Sequence, residues 1–118
     1  MQRLLCSGVA ELSLFDCEIE FLPQEISPAL VKLNLGSNDL SRDPEGVKRV
    51  LNSGCRMVSM CRCSLADLPP ADPSKCKVED LDLSSNSLSE LGPVFRIQSL
   101  RNLNIEKNRS VLLRFNPI

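Results

Sequence analysis

The sequence predicts an α/β solenoid, with short parallel strands on one face and mixed helical, 3-10 and extended arms on the other. Three observations support this prediction. An eleven-residue apolar pattern occurs five times, and its starts are 21, 25, 23 and 22 residues apart. Within each copy the apolar residues alternate, as in a strand with one buried face. The 118 residues are 42% apolar but contain no Trp or Tyr, as expected for a core of many similar positions.

The repeated pattern reads L-x-x-L-x-L-x-x-N/C-x-L and begins at Val9, Leu30, Cys55, Val78 and Leu100. Its five copies are VAELSLFDCEI, LVKLNLGSNDL, CRMVSMCRCSL, VEDLDLSSNSL and LRNLNIEKNRS. Over roughly residues 9–110 the chain resembles a leucine-rich repeat protein of the short, intracellular class, whose repeats have about 22 residues. The resemblance implies a curved solenoid, with the strands on its concave face and the arms on its convex face.

Each copy of the pattern predicts one strand, near residues 11–15, 32–36, 57–61, 80–84 and 102–106. Side chains alternate between the two faces of a strand. The fourth and sixth positions therefore point into the core, and the third, fifth, seventh and eighth point outward. The ninth position lies at the turn, where an Asn side chain can satisfy unpaired backbone groups. Cys17 and Cys63 occupy this position in the first and third copies, and we expect packed thiols there.

The arms between the strands differ in their predicted structure. The first and third contain prolines and are expected to be extended. The second is predicted to be helical, because Asp43 can cap a helix that begins at Pro44 and Gly54 can end it. In the fourth arm the apolar residues show no clear period, and a 3-10 turn and a short helix are equally consistent with it.

We expect one domain over residues 1–118, with repeats that start near residues 9, 30, 55, 78 and 100. Residues 1–8 can form a cap over the first coil. Residues 109–118 either cover the last coil or belong to a longer chain with further repeats, and the sequence leaves both open. No apolar run approaches the ~18 residues of a membrane span, and the start lacks the apolar stretch of a signal peptide. We therefore expect a cytoplasmic, intracellular protein without membrane contact.

The six cysteines are expected to be reduced structural thiols, because they lack the clustering that flanks extracellular repeats of this kind. A zinc site is the alternative, suggested by the pair Cys61 and Cys63, but no second pair lies at ligand spacing and the chain has no His. Asp80 and Asp82 are interpreted as a solvated acidic patch, with a calcium site as the alternative. We expect no metal and no cofactor.

The composition also argues against catalysis. Without His the chain lacks the usual general base, and it has no Gly-rich phosphate loop. The net charge of −1 gives no reason to expect a nucleic-acid partner. We expect a non-catalytic adaptor or scaffold that binds a protein of unknown identity. One alternative is a structural part of a cytoskeletal or ciliary assembly, self-associating or docking through its open C-terminal end. Recruitment of a nucleic acid or an enzyme by scattered cations has the least support.

The candidate binding surface is the outward strand face. Its apolar residues Phe15, Met57 and Cys61 are not required by the repeat, and with Arg62 they are predicted to form the centre of an interface. Tolerated exposure is the alternative explanation for them. Lys32, Asn34 and Gly36, which lie between them, are predicted to leave room for a partner side chain. The candidate partner-binding residues are Phe15, Lys32, Asn34, Met57, Ser59, Cys61, Arg62, Asp80, Asp82 and Asn104.

Overall fold

The computed structural model describes residues 8–109, and its strands form one parallel sheet in chain order. The strands are β1 (Glu11–Ser13), β2 (Lys32–Asn34), β3 (Met57–Ser59), β4 (Asp80–Asp82) and β5 (Asn102–Asn104). Their central residues, the fourth of each coil, lie in register across the sheet as Leu12, Leu33, Val58, Leu81 and Leu103. The predicted succession of five parallel strands is confirmed.

Every strand begins at the predicted residue, but each is two residues shorter than predicted. The reason is a turn that all five coils share. The eighth residue of each coil has a positive φ of 54–58°. Left-handed backbone at this residue ends the extended conformation, although hydrogen bonds between coils continue up to it, as from the Asp16 N–H to the Gly36 carbonyl (2.9 Å). These turn residues are Asp16, Ser37, Arg62, Ser85 and Lys107.

One continuous apolar core lies behind the sheet. In the three central coils the fourth-position residues are at most 3% exposed, and the sixth-position residues are fully buried although they lie beyond the strand ends. These residues are Leu33, Val58, Leu81, Leu35, Met60 and Leu83. Arm residues close the core from the opposite side, among them Val47, Val50, Leu68, Leu91 and Val94. The predicted inward positions are confirmed in these coils, and burial of their apolar surface is the main stabilising term.

The second arm contains helix α1 (Pro44–Leu51), and Asp43 caps it. Asp43 Oδ1 accepts a hydrogen bond from the Gly46 N–H (3.0 Å), while Oδ2 accepts one from the Leu22 N–H in the first arm (2.7 Å). A Cβ at position 46 would overlap the Asp43 carboxylate, so this close approach requires glycine. One buried carboxylate therefore caps a helix and joins two arms.

A second side chain of the α1 region also joins the first and second arms. Arg49, on α1, donates to the carbonyls of Leu22 and Pro23, each at 3.0 Å. The fourth arm contains a single helical turn, α2 (Gly92–Phe95), which buries Val94 against the core. In the described part of the chain, no helix is long and apolar enough to cross a bilayer.

Asparagines at the ninth position connect each turn to the preceding coil. Asn38 Oδ1 accepts from the N–H groups of Cys17 (3.0 Å) and Ile19 (2.9 Å), and Asn38 Nδ2 donates to the carbonyl of Leu14 (2.9 Å). Asn86 serves the third coil in the same way, through the N–H groups of Cys63 and Leu65. The predicted role of these asparagines is confirmed.

The prediction of a packed ninth-position thiol is right for Cys63 and wrong for Cys17. Cys63 is fully buried, and its Sγ donates to the Leu35 carbonyl of the preceding coil at 3.2 Å. Cys17 is exposed, and its Sγ lies 3.5 Å from the Phe15 carbonyl of its own coil. A ninth-position side chain points toward the preceding coil. Within residues 8–109 no repeat precedes the first, so the Cys17 thiol faces solvent.

The last described coil is less completely buried than its neighbour. Leu100, Leu103 and Ile105 are partly buried, whereas the equivalent residues of the fourth coil are at most 2% exposed. The cap predicted for residues 1–8 lies outside the described residues except for Gly8. The C-terminal segment predicted at 109–118 lies outside them except for Arg109.

Candidate functional site

A shallow groove of about 470 Å³ crosses the outward face of the sheet from β2 to β5. It exists because the short strands present their third and fifth residues to solvent, while the fourth faces the core. The side chains along it are Lys32, Asn34, Met57, Ser59, Asp80, Asp82, Asn102 and Asn104. Seven of these belong to the predicted candidate set.

Asp80 and Asp82 occupy the middle of this groove, on β4. Asp80 Oδ1 accepts a hydrogen bond from Asn102 Nδ2 (2.5 Å), on the neighbouring strand. Asp82 Oδ1 accepts from the backbone N–H (2.9 Å) and the hydroxyl (2.7 Å) of Ser84. Within residues 8–109 neither carboxylate has an ion-pair partner, and the Oδ2 atom of each accepts no hydrogen bond from protein. Two carboxylate oxygens therefore remain available to a ligand.

The predicted apolar centre of the interface is divided in the structure. Met57 lines the groove and is 40% exposed, but Phe15, Cys61 and Arg62 lie outside it, beyond the strand ends. Cys61 follows Met57 by four residues in the same coil, a separation of roughly 13 Å along extended chain. The structure therefore brings Phe15 together with Cys61 and separates both from Met57.

The space predicted beside Lys32, Asn34 and Gly36 is occupied at Gly36, so that part of the expectation is wrong, whereas Lys32 and Asn34 line the open groove. A Cβ at this position would lie 3.0 Å from both Cys61 Sγ and Phe15 Cδ1. The two side chains thus cover Gly36 from either side and bury it. Phe15 remains 47% exposed on the outer surface of this pair. The result is a closed apolar surface rather than an opening for a partner side chain.

The thiols of Cys61 and Cys63 point in different directions. Cys63 Sγ points into the core toward the Leu35 carbonyl, whereas Cys61 Sγ lies on the outward face beside Gly36. Burial raises the pKa of the Cys63 thiol to about 11, which disfavours the thiolate that a metal needs. This pair therefore cannot converge on one zinc ion. Among residues 8–109 no group of three His, Cys, Asp or Glu side chains could hold a metal ion.

Asn102 belongs to the groove but is absent from the predicted set. The available signal was register, because Asn102 lies directly beside Asp80 across the sheet. A second cavity of about 480 Å³ also lies outside the prediction, on the arm side near α1. Its charged residues are of mixed sign: Glu25, Glu45, Lys48, Arg49 and Lys75. The arms vary in length and structure, so their surface residues follow no register that a sequence pattern reveals.

A family model described as Leucine Rich Repeat matches residues 77–96, which contain β4, the turn after it and α2. A search of curated proteins finds no match to this chain.

Proposed function

We propose that the chain, which a leucine-rich repeat model matches over residues 77–96, is a leucine-rich repeat protein that acts as a non-catalytic interaction module. Its partner is a protein, which binds the groove on the strand face together with the adjoining loops. Leucine-rich repeat domains in general bind proteins and are not catalytic, which agrees with a chain that contains no His. As an adaptor or scaffold of the cytoplasm, the protein would act only by holding its partner.

The observation that carries this proposal is the contrast between the two sides of the sheet. The inward residues are buried in the core. The outward residues of β2 to β5 line an open groove, which has free carboxylate oxygens and an exposed Met57. Concave sites with a few convergent polar groups beside apolar surface are typical binding sites. The other candidate residues, Phe15, Cys61 and Arg62, would contact a partner that extends beyond the strand ends.

The size of the strand face limits the partner. Five strands about 4.8 Å apart, each three residues long, present roughly 200 Å². A standard protein interface buries about 800 Å² on each side. A globular partner would therefore also need the loops, whereas a short segment would be held by the face alone.

Capture of the partner tests the proposal. Tagged protein is used in a pull-down from cells that express it, and the captured proteins are identified by mass spectrometry. Ser59→Trp fills the groove without adding charge, and we expect it to abolish capture. Ser74→Trp makes the same change at an exposed position of the third arm and should leave capture intact. Both variants are first shown to unfold at the same denaturant concentration as the parent protein. Equal capture by both variants would exclude the strand face.

A second function is supported by the incompletely buried last coil. Leu100, Leu103 and Ile105 are partly exposed in the last coil that the structure describes, and such a coil could dock as a structural part of a cytoskeletal or ciliary assembly. Here the end, not the strand face, would contact a neighbouring chain or a second copy. Ile105→Ser should then weaken capture and any concentration-dependent association in sedimentation, while Ser59→Trp should leave both unchanged. The opposite pattern supports the strand face.

A further inference from the structure

We propose that the groove takes an extended, basic segment of the partner, and that a Lys or Arg side chain of this segment lies between Asp80 and Asp82. The inference rests on the proposed function and specifies the chemistry of the partner at the same site. It is carried by the charge of the groove, by the residues adjacent to the carboxylates and by the dimensions of the face.

The charge of the groove is uncompensated at its centre. Asp80 and Asp82 lie on the same face of β4, about 6.6 Å apart along the strand. Their outer oxygens have no partner in the described part of the chain. The cation that lines the groove, Lys32, is two strands away, which is roughly 10 Å. The ion pair between Arg56 and Glu79 lies outside the groove lining and supplies no charge to it. A cationic side chain is the complement that this site lacks.

The sheet register places apolar surface directly beside this charge. Met57 pairs with Asp80, and Ser59 pairs with Asp82. Lys and Arg combine a long aliphatic stem with a charged head, and they commonly lay the stem on apolar surface while the head reaches a polar group. Here the stem would lie on Met57, and the head would reach the carboxylates of β4. Met57 and Asp80 together thus match an amphipathic cation better than a small cation or a purely apolar side chain.

The length of the groove fits a short segment. From β2 to β5 it crosses three strand spacings, about 14 Å. An extended chain covers this distance with about four residues. One basic residue near the middle of such a segment would reach β4 while its neighbours span β2 and β3. An extended segment also needs no more than the small area that the face offers.

Peptide selection tests this inference. A phage-displayed library of random seven-residue linear peptides is selected on the full chain, and a recovered peptide is measured by fluorescence anisotropy. We expect the recovered peptides to be enriched in Lys or Arg. Asp80→Asn/Asp82→Asn keeps the shape of both side chains and removes their charge, and it should weaken peptide binding roughly tenfold. Ser59→Trp should abolish binding.

Asp72→Asn is the matched control. Asp72 accepts hydrogen bonds from the N–H and hydroxyl of Ser74, as Asp82 does from Ser84, but it lies on the third arm. The affinity of the Asp72→Asn variant for the basic peptide should stay within about twofold of the parent protein's, because this variant leaves the charge at β4 unchanged.

The outcomes separate this inference from the proposed function. Peptides that Ser59→Trp displaces but that show no excess of Lys or Arg would overturn the inference and leave the strand face as a binding site. The same conclusion follows if the double Asn variant binds a basic peptide as tightly as the parent protein. Peptides that are insensitive to Ser59→Trp, or a selection that recovers none, would count against both.

Discussion

Asn86 shows how much of this fold depends on single side chains. Its Oδ1 accepts two backbone N–H groups of the third coil, and its Nδ2 donates to the carbonyls of Met60 and Leu83, each at 2.9 Å. Three of these bonds, to the Cys63 and Leu65 N–H groups and the Met60 carbonyl, satisfy backbone groups that the turns leave unpaired, whereas the Leu83 carbonyl also accepts from Asn108 Nδ2 (2.9 Å). Buried backbone groups that lose their partners are costly, and this cost exceeds the net value of a hydrogen bond that remains intact.

We therefore expect Asn86→Ala to lower the free energy of unfolding by about 3 kcal/mol or more, since several buried groups lose a partner together. Asn104→Ala, on the exposed strand face, should change it by less than about 1 kcal/mol. Urea denaturation of the three proteins gives both values. Similar losses in the two variants would show that the turns do not depend on this side chain.

Cys63 makes stability depend on pH in an alkaline range. Burial raises the pKa of its thiol from 9.0 to about 11. Between these values the unfolded chain has lost the thiol proton while the folded protein keeps it. The free energy of unfolding should therefore fall as the pH rises from 9 to 11, and below pH 9 this group should cause no change.

Cys63→Ala removes this contribution, and its free energy of unfolding should fall less steeply over the same range. Denaturation of the parent protein and the variant at pH 8, 9, 10 and 11 measures the two slopes. Parallel slopes would mean that the Cys63 thiol ionises as readily in the folded protein as in the unfolded chain.

At the scale of an element, α1 depends on the residue that precedes it. Asp43→Ala removes the helix cap, worth about 0.5–2 kcal/mol, and also leaves the buried N–H of Leu22 without its acceptor, worth about 1–3 kcal/mol. We expect a combined loss of about 2–4 kcal/mol in the free energy of unfolding.

Asp39→Ala is the comparison for this prediction, because Asp39 is exposed and its carboxylate bonds, among residues 8–109, only to Ser41, two residues away. It should destabilise the protein much less than Asp43→Ala in the same urea titration. A loss at Asp43 no larger than that at Asp39 would show that α1 and the first arm are held by other contacts.

The strands show which part of an element a sequence can predict. Their starts follow from apolar alternation. The fourth and sixth residues can both be buried only if the backbone around them is extended, with their side chains on the same face. Their ends depend on left-handed backbone at Asp16, Ser37, Arg62, Ser85 and Lys107. None of these is the Gly that such a conformation favours, so residue type did not reveal the turn. The cap at Asp43 was predictable because its signal is local, but its bond to the first arm was not.

At the scale of the whole molecule, stability depends on stacking of the coils. Leu81 is 2% exposed in the fourth coil, at the centre of β4. Leu81→Ala should lower the free energy of unfolding by about 2–5 kcal/mol, because it leaves a cavity between neighbouring coils. Ser59→Ala, on the opposite face of the sheet, should change it by no more than about 0.5 kcal/mol. Chemical denaturation measures the free energy of unfolding of both variants. Equal losses in the two would show that the inward and outward faces have been assigned the wrong way round.

The candidate surface was predictable in its face but not in its grouping. Alternation alone placed Lys32, Met57 and Asp80 outward. It did not show that Phe15 and Cys61 close over Gly36, because that contact depends on the turns beyond the strands. The hydrogen bond from Asn102 to Asp80 likewise depends on cross-strand neighbours, which one copy of the pattern does not contain.

The ninth-position asparagines give the solenoid a direction of assembly. The turn around Cys17 and Ile19 is completed by Asn38, which follows them by 21 and 19 residues, and Asn86 stands in the same relation to Cys63 and Leu65. When the chain is synthesised from its amino terminus, the backbone N–H groups of these two turns gain their hydrogen-bond acceptors only after the following coil has been made. A nascent chain that pauses before the coil carrying the asparagine therefore exposes unpaired backbone N–H groups in the preceding turn. Synthesis of that coil then supplies their acceptor.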